Sequence, residues 1–581
     1  MKKLASLTVA AFVIALLLAF TRQGFLARPA VLVQSRQAQK PGLVRCSPDW
    51  NLLEDWLEEA DIPPIPGAGT YRWKISTRND SAQFYFDQGI NMYYSFHIIE
   101  AMASFKKAER FDPECSMLPW AQALSYGPNI NDLGYRASPE ALAAVKRSLE
   151  HLSAATPFEQ ALIRAMTVRY TADSADATRA QLNQDYTNLM KSVALKFPRQ
   201  PDALALYADA MMLQHPWDLW NVNGTPKPWT PAIRNILETL LPMAPNHPGA
   251  NHYYIHVMEP SPYAALALPS AGRLGLTNPG LSHVVHMPSH IYLRAGQYQK
   301  GVSVNESAVA SYEKSIPLYA AVTGADFLYL IHNLHMQTNN AMLGGQAEKA
   351  IQSAQATAQS VSQDYLNLPA PLGSLLQYIH AAPLFAYLQF GKWSEIIASP
   401  APADGQVYAK LLFQFARGVA FARAGDLRQA NTSLLALRES MRDSSLYIPF
   451  TPFSAAIEGA RVAEGILDGV IQEEQGRLME AIRLFKKAEL TETGMVYNEP
   501  RDWLISPRHY LARALIKAKK WKEAEQVCRA DLAYNQENGW SLFGLYKSLA
   551  GQGKTTAAQA AEARYKKAFG KTGIVIEQPA F

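Results

Sequence analysis

An all-α solenoid of stacked helix pairs is the fold class the sequence predicts, and three observations carry the prediction. Gly89, Ala101, Phe105, Ala108 and Pro113 stand 12, 4, 3 and 5 residues apart, and Gly469, Ala481, Phe485 and Ala488 repeat the first three intervals. Small residues at such intervals let two helices cross closely, and strands have no use for them. Pro279 follows Pro245 by 34 residues, an interval that one helix pair would fill. The composition agrees: 581 residues exceed what one compact core holds, and 48% hydrophobic with 18% charged residues supports large-scale burial. A formal charge of +5, with basic residues spread along the chain, argues against nucleic acid as a partner.

From the N-terminus, Met1-Lys2-Lys3 and the apolar run Leu4 to Phe20 read as a signal peptide or a membrane anchor over 1–20. Either directs the chain to the periplasm or another extracytoplasmic compartment, and the second tethers it to the membrane. Thr21-Arg22-Gln23-Gly24 offers no small-x-small cleavage site, so both remain open. Residues 21–80 form a tether and N-terminal extension, polar and rich in Gln, Arg and Pro as far as 50. Cys46, Cys115 and Cys528 allow one disulfide at most and no CxxC site, so any metal must be held by histidine and carboxylate.

The spacing resembles the tetratricopeptide repeat, a helix–turn–helix unit of 34 residues. The resemblance implies an N-terminal repeat region over 81–400 and C-terminal repeats over 401–570, with looser matches at Gly418, Gly425 and Ala430 and at Trp540 and Gly544. Between them, Ala267, Ala271 and Leu274, then Gly296, Tyr298, Gly301 and Ala308, then Gly345, Ala350 and Ala354 keep the frame, with an insertion around 315–326. A Trp- and Pro-rich loop at 214–231 precedes these repeats. Its Trp217, Trp220 and Trp229 either cover one end of the groove or pack on the flank.

Seven of the 13 histidines fall between His252 and His335. His252, His256 and Glu259 lie at i, i+4 and i+7, one stripe of a helix; His283, His286 and His290 repeat the arc, and His332 and His335 begin a third. In tetratricopeptide proteins the second, fifth, ninth and twelfth places of the first helix face the concave groove. The register fixed by Gly, Ala and Pro puts these side chains, with Asn339, in those places. Neutral imidazole is a common ligand of transition metals. The expected site is therefore a zinc, copper or iron centre in the groove, drawn from His252, His256, Glu259, His283, His286, His290, His332 and His335, in a metal-binding protein or metal-dependent enzyme. The alternative is a metal-free scaffold whose groove takes a small molecule, a peptide or a protein partner.

Several details stay open at this level. Pro288 would kink or end its helix, either aiming His286 and His290 at one point or separating them. Tyr253-Tyr254 follows His252, so HExxH metalloprotease chemistry is not indicated, and Glu259 or Glu306 is the candidate base. Met258, Met287 and Met336 beside the histidines are either thioether ligands or core filling. Tyr497 to Trp503 precedes a repeat whose groove should carry His509 and Arg513, as a carboxylate site or a turn. The stretches ANHYYIHVME, LSHVVHMPSHIYLRAGQY and HPWDLW resemble a group of multi-repeat bacterial proteins with a His-Met-Pro-Ser-His-Ile motif. That likeness spans about 80–550 and implies the same fold and a shared site.

Overall fold

The computed structural model describes Trp50, Leu53, Leu57 and residues 61–581, apart from 133–134, 136, 174, 320–326 and 571, and apart from the side chains of 327 and 328. The signal or anchor segment, Cys46, most of the tether and most of the 315–326 insertion lie outside the described residues. Within Val44–Phe581, one compact unit, the regular secondary structure of the described residues is helical, with a single isolated bridge between Trp220 and Pro226. Among them no helix is long and apolar enough to cross a membrane.

The helices come as hairpins, each packed on the next in sequence. In the first, α1 (Asp80–Tyr94) turns through a short loop into α2 (Ile98–Phe111). Asn79 caps α1 by accepting from the backbone N–H groups of Ser81 and Ala82. A Cβ at Gly89 would stand 2.4 Å from Phe105 Cε1, so the crossing exists only because glycine faces the ring. The site region follows with α3 (Pro248–Met258), α4 (Ser282–His286), α5 (Pro288–Arg294), α6 (Tyr298–Ser315), α7 (His332–Leu343) and α8 (Ala347–Ser360). Toward the C-terminus, α9 (Ala456–Glu474) and α10 (Leu478–Gly494) repeat the first hairpin's contact: a Cβ at Gly469 would meet Phe485 Cε1 at 2.5 Å. The 16-residue Gly-to-Phe interval read from sequence is thus one packing element used twice.

Buried apolar side chains gather in two main clusters, one drawn from residues between Trp50 and Ile291 and the other between Val302 and Ala580. The chain closes back on itself where they meet. Arg294 at the end of α5 donates to the Tyr534 carbonyl and lies 3.5 Å over the Tyr534 ring, Tyr298 donates to the Gln536 carbonyl at 2.7 Å, and Trp540 Nε1 donates to the Met342 carbonyl at 3.1 Å. These contacts, spanning 198 to 240 positions of the chain, bring the C-terminal repeats against the histidine helices.

Candidate metal centre

Helix α3 is buried on every side, which suits a helix in the middle of a solenoid. Pro248 starts it, and the His247 ring caps it: Nδ1 accepts from the Ala250 N–H, which leaves Nε2 to face Asp202 Oδ1 at 3.3 Å. Gly249 lets α3 come against α1, since a Cβ there would stand 2.5 Å from the Tyr94 ring. That approach matters for His252. Tyr94 is the last residue of α1, its carbonyl is one of those a helix end leaves unpaired, and His252 Nδ1 donates to it at 2.7 Å. At the far end of α3, Arg294 donates to the Glu259 carbonyl at 3.1 Å and to the Ser261 carbonyl at 3.1 Å, pinning the turn from which the Glu259 carboxylate projects.

Seven of the eight expected residues come together. His252, His256 and His283 form one group and His286, His290 and His332 a second, each with ligand atoms within 4.8 Å of one another; Glu259 and Glu499 join His256 in a third. In the first group His252 Nε2 lies 3.1 Å from both His256 Nε2 and His283 Nε2. Glu259 spans the two histidine groups, with Oε1 accepting from His256 Nδ1 at 3.1 Å and Oε2 2.8 Å from His290 Nδ1, off the line of a hydrogen bond. Glu499 Oε1 lies 3.6 Å from His256 Nδ1 and 3.7 Å from His290 Nδ1, and Oε2 lies 3.9 Å from His332 Nε2.

The tautomers follow from these partners. A carbonyl only accepts, so His252 carries its proton on Nδ1. Burial alone would raise the Glu259 carboxyl, but the nearby His290, a hydrogen bond from Glu499 and the His256 contact bring it well below its usual range, so it too only accepts. His256 is then also protonated on Nδ1. The Nε2 lone pairs of His252 and His256 therefore face each other across 3.1 Å with no proton for that contact. Burial, with the neighbouring His256, holds His252 well below the imidazole range; burial with His252 does the same to His283, burial with His332 to His286, and burial with His290 to His332. Neutral rings are what a metal ion requires. His283 Nδ1 and both nitrogens of His286 and His290 are buried without a hydrogen bond.

His335 departs from expectation. Its ring packs against Tyr378 at 5.9 Å and its Nε2 makes no hydrogen bond; burial pushes its pKa down to about 3. Three residues of helix turn a side chain about 60° off the stripe and one turn along the axis, which takes His335 out of the groups that hold His332. Glu306 is corrected as well: it pairs on the surface with Lys349 at 2.6 Å. Met258 and Met287 sit in the first apolar cluster and Met336 packs with Leu293, Tyr298 and Leu343, so all three fill core. Pro288 ends α4 and starts α5, yet the His286 and His290 ring centroids are 4.8 Å apart: the break aims them together while leaving His283 to the other group.

The Trp-rich loop divides. Trp217 sets its edge on His256 at 5.4 Å, whereas Trp229 stacks on His215 within the loop at 3.6 Å. His509 bonds Asp531 at 3.2 Å, and Arg513 bonds Glu473 at 3.2 Å, so neither waits for a carboxylate ligand. Sequence reasoning missed Tyr94, Phe96 and His97, and it read the stretch holding Tyr497 and Glu499 as a carboxylate site or a turn, apart from the histidine centre. Phe96 stacks on His256 and His283 and tilts against His252, His97 Nε2 accepts from the His283 N–H at 3.4 Å, and the Tyr497 hydroxyl donates to Glu259 Oε2 at 2.8 Å. An acid inside the Tyr-Asn-Glu-Pro stretch was the sequence signal for Tyr497 and Glu499.

No family model and no curated protein matches the sequence. Similar solved structures include the human IFIT1 dimer with m7Gppp-AAAA (TM-score 0.29, 13% identity, covering 90% of this chain and 94% of that one). The Cut9–Hcn1 hetero-tetramer of the APC/C gives TM-score 0.28 and 13% identity over 90% of this chain and 80% of that one. The TPR domain of P58(IPK) gives TM-score 0.19 and 11% identity over 82% and 99%. At such scores the likeness carries no functional argument; the helix hairpins stand on the chain's own geometry.

Proposed function

We propose that this chain is an exported helical-repeat protein that holds a pair of transition-metal ions and uses them on a small molecule. His252, His256 and His283 would hold one ion, His286, His290 and His332 the other, with Glu259 and Glu499 between them. The observation that carries the reading is the pair of facing Nε2 lone pairs on His252 and His256, 3.1 Å apart. Two acceptors repel at that distance, and a cation between them removes the repulsion. The spacing suits an ion with bonds of about 2.0–2.1 Å, whose tetrahedral edge is about 3.3 Å. The outward nitrogens bond a carbonyl and a carboxylate, the usual support for a metal-bound imidazole. Imidazole and carboxylate without thiolate suit zinc, copper or iron. An ion so held would polarise a substrate oxygen or activate water. The metal-free scaffold reading gains less support, since the buried imidazoles offer a peptide no face to bind.

Elemental analysis of protein purified without chelator or a histidine tag tests the proposal. Up to two ions per chain are expected, with the content falling at least tenfold at the first position in His252→Ala or His256→Ala and unchanged in His509→Ala. Metal-free protein that takes up no zinc, copper or iron on titration would overturn it and return the groove to a partner-binding role.

A further inference from the structure

The histidines are buried, so whatever reaches them must pass residues that also face solvent. A cavity of about 220 Å³ lies between the Trp-rich loop and the 493–501 segment. Two of its wall residues touch the cluster directly: Trp217 lies edge-on to His256 at 5.4 Å, and the Tyr497 hydroxyl donates to Glu259 at 2.8 Å. Trp220 and Tyr534 complete an aromatic lining. Trp220 is held in place by donation from Nε1 to the Val257 carbonyl at 2.7 Å, so the wall is anchored to the last turn of α3, the same helix that carries His252 and His256.

The charges around this cavity are already balanced within the protein. Lys227 Nζ lies 2.8 Å from Asp218 Oδ1, and Arg501 pairs with Glu492 while its guanidinium lies 4.2 Å over the Tyr534 ring. An anionic ligand would compete with Asp218 and Glu492, and a cationic one with Lys227 and Arg501. A neutral ring meets no such competition. Aromatic walls favour it through offset and edge-on contacts, each worth about 0.5–1.5 kcal/mol beyond burial. A cavity of about 150 Å³ is enough for benzene, so 220 Å³ admits one ring with a polar substituent or two.

We propose that this cavity is the substrate pocket of the histidine centre and takes a neutral, single-ring aromatic compound bearing a hydroxyl or similar polar group, with Tyr497 standing between the ring and Glu259. The assignment rests on the metal-centre reading above, and the experiment separates the two. Phenol is titrated into metal-loaded, full-length protein and followed by calorimetry and saturation-transfer NMR. Saturable binding is expected. Val222, exposed at 55% and part of the cavity wall, is the safest place to fill the space. Val222→Trp should weaken phenol at least tenfold with metal content unchanged, and Trp217→Ala should weaken it similarly. His252→Ala should lose metal and keep phenol. Failure of phenol to saturate the metal-loaded wild type, or binding indifferent to Val222→Trp, overturns the pocket while leaving the metal reading intact. Glucose or benzoate binding more tightly than phenol overturns the ligand class. Saturable phenol binding to a chain that takes up no metal overturns the pocket's assignment to a metal centre.

Discussion

At the scale of single residues, the centre is defined by which nitrogen carries the proton. Tyr94 O and Glu259 each take one imidazole N–H, and both choices turn Nε2 inward. The same burial gives a signed pH dependence. His252, His256, His283, His286, His332 and His335 are held by burial below the unfolded value near ~6.5. As pH falls through ~6.5 the unfolded chain takes up protons that the folded chain refuses, so stability present at neutral pH is lost on acidification. Each resisting imidazole contributes a slope of about 1.4 kcal/mol per pH unit until its folded pKa is reached. Metal-free protein should therefore show a melting temperature that drops steeply between pH 7 and 5, and His335→Gln should make the drop shallower; a flat profile by differential scanning calorimetry would contradict the buried neutral imidazoles. Two further residues stand out. Of five described non-glycine residues with positive φ, the two aromatic ones are Phe96 at 57° and Trp217 at 60°, and both rings pack on His256. Such backbone costs about 1–3 kcal/mol and persists where the surroundings impose it.

At the scale of elements, the hairpin contact gives the plainest prediction. Gly89→Ala and Gly469→Ala each drive a methyl to within about 2.5 Å of a buried phenylalanine ring, and overpacking of this kind costs about 1–3 kcal/mol. Gly476→Ala, at φ 77° with nothing within 4 Å, tests backbone strain alone. Urea denaturation midpoints distinguish them. Pro288→Ala should let α4 and α5 run on as one helix and weaken the ion proposed at His286, His290 and His332 more than the one proposed at His252, His256 and His283, read as two separate affinities in a metal titration. Much of this was legible from sequence because glycine, alanine and proline mark helix crossings directly. The register derived from them put His252, His256, His283, His286, His290 and His332 on one face, and the structure gathers all six. His335 escaped because groove position is a coarser property than convergence on a point. Glu499 and Tyr497 escaped because they lie between helices, where side chains follow no period, and more than 160 residues beyond the last of those histidines. Nothing in the identity of Phe96 or Trp217 announces a left-handed backbone.

At the scale of the molecule, the histidine groups sit where the two apolar clusters meet, drawing His252 and His283 from chain that builds the first and Glu499 from chain that builds the second. Ions bound there, as proposed, would tie the two halves together. Binding to the folded chain alone adds stability as RT ln(1 + [L]/Kd), about 4 kcal/mol at a thousandfold excess over Kd. Chelator should therefore lower the melting temperature of wild type more than that of His256→Ala, and should broaden or split a single transition as the halves uncouple. An unchanged curve would count against the tie.

The distance in sequence between the contributors has a temporal side. The first three imidazoles lie within 32 residues, whereas the full set of charges and rings waits for Glu499, some 160 residues after His332. A chain emerging N-terminus first would expose the three imidazoles long before Glu499 exists, and the C-terminal repeats must dock before that patch is sealed. On the proposed reading maturation would have an intrinsic order: both histidine trios complete by His332, the Glu499 carboxylate later, and closure last. After closure the repeats around Tyr534 and Gln536 lie against α5 and α6, so on the proposed reading an ion would exchange more slowly with the folded chain than with one whose C-terminal repeats have yet to dock.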